Sequence, residues 1–152
     1  MLLSELLPPE RIRIPLAGRS KDDLLRELVD VLHATGEVGD ASEVLRAVRE
    51  RESVLSTGIG NGVAIPHGKS SQVSELAMAA GVTAEPVDFE ALDGRPVSLF
   101  FLLVGPESAA GDHVKALSRI SRLVRSDTFR RRLIGASSPE EFHSILAEAE
   151  QS

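Results

Sequence analysis

The run Val97–Val104, VSLFFLLV, limits the fold more than any other stretch of this sequence. Its near-continuous apolarity leaves no face for solvent. It therefore predicts a strand in a sheet that is covered on both sides. Its most apolar part, Leu99–Val104, is far too short to cross a bilayer, and no membrane insertion is expected. Asp93-Gly94 marks a turn just before it. Leu76–Val82, small and apolar, predicts a second buried strand, and the period of two from Arg11 to Leu16 predicts a third.

The segments between these strands read as helices. Leu2–Leu7 is a short apolar turn stopped by Pro8-Pro9. Ser20 and Asp40 carry N-capping signals. The first opens a helix that places Leu24, Leu25, Leu28, Val31 and Leu32 on one face, with Gly36 as its C′ residue. The second opens a helix through Val44, Leu45 and Val48 toward Arg51. Asp112 is expected to cap a long helix whose core face is Val114, Leu117, Ile120, Leu123 and Val124. Ser138-Pro139-Glu140-Glu141 is a capping box with proline at the first helical position, and it starts a last helix carrying Phe142, Ile145 and Leu146. Strands alternating with helices predict one α/β domain over residues 1–152, a mixed β-sheet flanked by α-helices.

Composition removes several functions. The chain has five Phe, no Trp, no Tyr and a formal net charge of −6, which argues against nucleic acid as a partner. It has no Cys, so disulfides, thiolate catalysis and Cys-ligated zinc are excluded. No metal-ligand spacing is present, and no metal or cofactor is expected. The N-terminus MLLSELLPPE lacks the basic start and long apolar run of a secretory signal, so a cytoplasmic protein is expected.

Ser56–Lys69, STGIGNGVAIPHGK, holds four glycines, and only its VAI reads as sheet. Gly68-Lys69-Ser70 supplies the tail of a P-loop, but the glycine required at position 63 is Val63, and Gly62 is one residue too far. Two readings remain open from the residues alone. The glycines can make a tight connection between helix and strand. Alternatively, they can bring backbone amides around an anion beside a nucleophilic histidine, His67.

The segment STGIGNGVAIPHG resembles the phosphorylation-site segment of the EIIA domains of the fructose/mannitol type in the bacterial phosphotransferase system, nitrogen-regulatory branch included. The resemblance continues through Ser20-Lys21, VDFEALDGRPVSLFFLL (Val87–Leu103), DHVKALSRISRLVR and SPEEFHSIL. It implies a phosphotransferase in which His67 takes a phosphoryl group on Nε2 from a phosphohistidine of HPr, or of the HPr-like carrier of the nitrogen branch. The group then passes to a cysteine of an EIIB domain. The other role in the family is regulatory, a binding module whose affinity for a target protein depends on the state of His67. The resemblance also implies that Arg51 is the arginine near the active histidine and His113 the second active-site histidine. A guanidinium suits phosphate oxygens, and a helix start at His113 would favour an anion. Thr57 and Asn61 are expected to hydrogen-bond within the loop or to orient His67, and Gly68 to form part of the bed for the phosphoryl group. Gly105 stands where the family keeps an apolar residue, which leaves the end of that strand open. His33 and His143 show no constellation and His143 is expected on an exposed face. The arginines from Arg119 to Arg132 are read as a solvated face.

Overall fold

Two strands, β5 (Ala77–Val87) and β6 (Val97–Gly105), pair antiparallel at the centre of a six-stranded sheet. The computed structural model describes residues 1–151. The other elements are α1 (Leu3–Leu6), β1 (Ile12–Leu16), α2 (Lys21–Ala34), α3 (Ala41–Val54), β2 (Gly58–Gly60), β3 (Val63–Ala64), β4 (His67–Lys69), α4 (Ala110–Leu123), α5 (Asp127–Ile134) and α6 (Pro139–Glu150). The strand order is β1-β5-β6-β3-β2, and β4 also pairs with β6. β1 runs parallel to β5, and β3 and β4 run parallel to β6. The sheet is therefore mixed, with α-helices on both faces.

Every residue of β6 is buried, as its apolar run predicts. Side chains alternate across a strand, so one run feeds two cores. Leu99, Phe101 and Leu103 join Met78, Ala80 and Val82 under α4, α5 and α6. Phe100, Leu102 and Val104 join Ala77 and Ala79 under α2 and α3. Gly105 belongs to β6 and pairs with Lys69, so the strand continues through the glycine that had left its end open. A Cβ there would lie 3.3 Å from Leu76 Cα.

The helix ends follow the capping chemistry. Ser20 Oγ accepts from the Asp23 N–H, and Asp40 Oδ1 accepts from the N–H groups of Ser42 and Glu43. Gly36 closes α2 with φ +85°, and the Glu37 N–H reaches back 2.9 Å to the Leu32 carbonyl. α3 runs to Val54, past Arg51.

Two expectations need correction. α4 begins at Ala110, after a 3₁₀ turn at Glu107–Ala109, so Asp112 lies inside its first turn rather than at its cap. The buried face of α4 is His113, Ala116 and Ile120, while Val114 is 66% exposed. Ile120 and Val124 are buried and Leu117 and Leu123 pack partly against the core as expected, so only Val114 departs, its place being taken by His113, which a hydrophobic pattern skips. The arginines divide between α4, the turn after it and α5, which Ser126 caps; Arg122, Arg125, Arg131 and Arg132 are exposed, as a solvated face predicts, and Arg130, Arg131 and Arg132 form ion pairs with Asp127 or Glu148.

α1 has no cap of its own. The buried carboxylate of Glu150 supplies it, accepting from the N–H groups of Leu3 (2.7 Å) and Ser4 (2.8 Å). His143, expected to be exposed, is partly buried and donates from Nε2 to the Ser4 carbonyl at 2.8 Å. Glu150→Ala strips the two amides of their partner. It is expected to cost about 2 kcal/mol in urea unfolding, since bonds to a charged acceptor are the stronger kind.

Candidate functional site

The glycine segment is more sheet than loop. Asn61 and Gly62 have φ values of 58° and 77° and join β2 to β3. That is the two-residue turn an Asn-Gly pair favours, because both positions need positive φ. The chain then crosses through Ile65-Pro66 into β4, where His67 pairs with Leu103 and Lys69 with Gly105. The Leu103 N–H donates to the Pro66 carbonyl and the Ser70 N–H to the Gly105 carbonyl, each at 3.0 Å. The backbone on both sides of His67 is thus stitched to the central strand.

His67 is half-buried, and its Nδ1 lies 2.9 Å from the Ile65 carbonyl oxygen. A carbonyl only accepts, so Nδ1 carries the proton and Nε2 keeps its lone pair. Strand alternation sends His67 and Lys69 toward α4 and Gly68 toward α3. A Cβ on residue 68 would lie 3.1 Å from both the backbone N and the Cγ2 of Val48. Glycine here allows α3 to lie against β4. Val48 is one helical turn before Arg51, so this contact fixes how close Arg51 comes to His67.

Arg51, His67, Gly68, Lys69, Ala110 and His113 line one open cavity of about 610 Å³. Arg51 donates to the Leu55 carbonyl at 2.9 Å, which steadies the guanidinium beyond the end of α3. The His67 and His113 rings meet edge to face, with centroids 5.5 Å apart. The start of α4 opens on the cavity, and its N-cap, Ala109, offers no side-chain bond to the first-turn amides. The cavity thus holds a nucleophilic nitrogen, two cationic side chains and a helix N-terminus, a combination suited to an anionic group. Val54, Val114 and Leu117 add apolar surface to its lining, and Glu50 adds one carboxylate.

Both imidazoles are held neutral. Burial pushes His67 below its ordinary value, and Arg51 adds to this; the bond to Ile65 and the charge of Glu52 oppose it. Burial lowers His113 to about 4, helped by His67 and Lys69. Its ordinary value is 6.5, so between the two values the unfolded chain binds the proton that the fold refuses. Stability is therefore complete above pH 6.5 and falls as pH drops toward 4. The contribution of His113 is on the order of 3 kcal/mol. Urea unfolding across this range is expected to show the loss, and His113→Gln to flatten it.

Of the residues expected at the site, His67, His113, Arg51 and Gly68 come together. Thr57 is buried one layer below, donating from its amide (2.9 Å) and hydroxyl (2.5 Å) to the Glu52 carboxylate. Asn61 lies at the hairpin turn, where its N–H donates to Asp93 Oδ2 at 3.1 Å, and it does not line the cavity. The Asn-Gly dipeptide was the available signal for that turn. Two residues escaped the sequence reading: Lys69, noticed only as a P-loop tail, and Glu52, which nothing in the linear pattern marks as buried.

A mixed-sheet α/β domain with two neutral histidines facing a cationic cleft is the class of protein these features define. Residues 5–149 match the model for the phosphoenolpyruvate-dependent sugar phosphotransferase system EIIA 2 family, and the chain belongs to that family of phosphoryl-transfer components. It is similar to the crystal structure of the nitrogen regulatory protein IIA-Ntr of Neisseria meningitidis (38% identity, TM-score 0.88, covering 95% of this chain and 98% of that one). It is 37% identical over 148 residues to a nitrogen regulatory protein of Bradyrhizobium diazoefficiens, covering 97% of this chain and 95% of that protein. It is also 37% identical over 146 residues to the fructose-specific EIIABC component of Bacillus subtilis, covering 96% of this chain but only 23% of that protein's length.

Proposed function

We propose that the protein is a phosphocarrier that accepts a phosphoryl group on Nε2 of His67. The observation that carries this is the bond from Nδ1 to the Ile65 carbonyl, which leaves Nε2 unprotonated beside Arg51, Lys69 and His113. The donor is a phosphohistidine on an HPr-type carrier protein. As Nε2 bonds to phosphorus, the P–N bond of the donor breaks and the donor imidazole leaves with the electron pair. Nδ1 keeps its proton throughout, and the ring becomes cationic. Arg51 and Lys69 balance the phosphoryl oxygens, and neutral His113 can donate a ring N–H to one of them. The apolar side chains of Val54, Val114 and Leu117 support docking of the carrier with exclusion of water.

Phosphoenolpyruvate, enzyme I and a carrier protein test this directly. An acid-labile, base-stable phosphate that maps to Nε2 of His67 is expected. A phosphate mapping elsewhere, or none with a competent carrier, overturns the reading.

The onward step has two readings, because the identity to a fructose EIIABC component and to a nitrogen regulatory protein is the same, 37%. In one, the phosphoryl group passes to an EIIB cysteine; in the other, the two states of His67 are read by a regulated target protein. Transfer to purified EIIB domains separates them. Phosphate appearing on EIIB supports relay, and retention on His67 with every EIIB offered supports regulation.

A further inference from the structure

We infer that Glu52 is the positioning residue for His67: by fixing Thr57 it holds the Ile65 carbonyl where it keeps the proton on Nδ1 and presents Nε2 to the cavity. This rests on the reading of His67 as the phosphoryl acceptor.

Glu52 is a carboxylate in the wrong place for stability alone. It lies in the last turn of α3, where the unpaired carbonyls of the helix end disfavour negative charge. It is only 6% exposed, and a buried carboxylate needs partners for its oxygens. Val44, Leu45 and Val48 already set an apolar face for this helix, and an apolar residue would continue it.

Both oxygens bind Thr57, and Oε2 also pairs with Lys21. Oε1 accepts from the Thr57 hydroxyl at 2.5 Å and Oε2 from the Thr57 amide at 2.9 Å. Lys21 Nζ sits 2.8 Å from Oε2 and 5.0 Å from the centre of the Phe89 ring, a cationic partner for the carboxylate. The other side of Thr57 faces the site. Its carbonyl accepts the Ile65 N–H at 2.9 Å, and the Ile65 carbonyl accepts from His67 Nδ1 at 2.9 Å. Glu52, Thr57, Ile65 and His67 thus form one unbroken series of contacts. Planar peptides transmit a displacement at Thr57 to the carbonyl that sets the ring. The charge of Glu52 also favours a cationic His67 ring, and the ring is cationic once Nε2 carries a phosphoryl group.

The bland alternative is that Glu52 only stabilises the loop. Nitrogen-15 NMR of the histidine rings, recorded before any donor is added, separates the two. The native protein is expected to hold His67 in the Nδ1–H form. Glu52→Gln keeps the size and removes the charge, and places an amide N–H₂ against groups that are themselves donors. It is expected to populate the Nε2–H form of His67 and to slow phosphoryl acceptance about 10- to 100-fold per folded molecule. Thr57→Val, which deletes only the hydroxyl bond, is expected to move both readouts in the same direction by less. Thr57→Ser is expected to restore them.

A folded Glu52→Gln protein with native ring tautomer and native rate overturns the inference, even if it melts earlier. If Glu52→Gln does not fold, the Thr57 pair decides, and identical tautomer and rate in Thr57→Val and Thr57→Ser overturns it. The tautomer is read without phosphate. A native protein that accepts no phosphoryl group would therefore count against His67 as acceptor and not against the Glu52 contact series.

Discussion

His67→Gln is expected to abolish phosphoryl acceptance, with a fall of more than about 10³-fold. Glutamine has similar reach but no nucleophilic nitrogen, so the P–N bond cannot form. Its neighbours cannot replace it. His113 is the nearest imidazole, yet it is 5% exposed, and an in-line approach by a donor protein needs an open face. The fold is expected to survive, because the side chain is half-buried and makes one hydrogen bond, to Ile65. Loss of that bond costs about 1 kcal/mol. Mass spectrometry of the intact protein after incubation with donor, beside circular dichroism of the same sample, checks both halves. A phosphorylated His67→Gln protein would move the chemistry to another residue.

Gly81→Val is expected to act on the fold and leave the chemistry. A Cβ at this position would sit 2.6 Å from the Arg13 carbonyl oxygen and 2.6 Å from Leu16 Cγ, both on β1. The backbone oxygen cannot rotate away, so β1 must shift against β5. Overpacking of this kind costs about 3 kcal/mol or more. Urea unfolding is expected to show it. The damage lies at the β1 edge, and β4 pairs on the other side of the central pair. Molecules that remain folded in the cold are therefore expected to accept phosphate at the native rate.

The sheet was legible because β6 carries its own argument: nine residues, all buried, cannot be satisfied by a one-sided sheet. The caps at Ser20, Asp40 and Ser138 were equally plain, since each is a local hydrogen bond written within four residues. His67, Arg51 and His113 were reached through the likeness of one glycine-rich segment to a known family. Spacing alone left a structural loop as a live alternative. What stayed hidden is non-local. β2 and β4 are three residues long and borrow their order from β3 and β6 respectively, so no internal pattern announces them. The start of α4 depends on a 3₁₀ turn without a capping side chain. Glu52 reads as one more charge in an acidic and basic helix, and only the fold brings Thr57 and Lys21 to it.

The pairing of β4 with β6 has a consequence for signalling. His67 is carried on backbone bonded to the middle of the molecule, with Leu103 as its register partner. A residue mounted this way gives the domain no soft hinge at His67. On the proposed reading, the phosphorylated and free proteins would share one outline, and a partner would tell them apart by electrical potential at the cleft rather than by form. Such recognition weakens as salt rises, because screening shortens the reach of the added charge while leaving apolar contact intact.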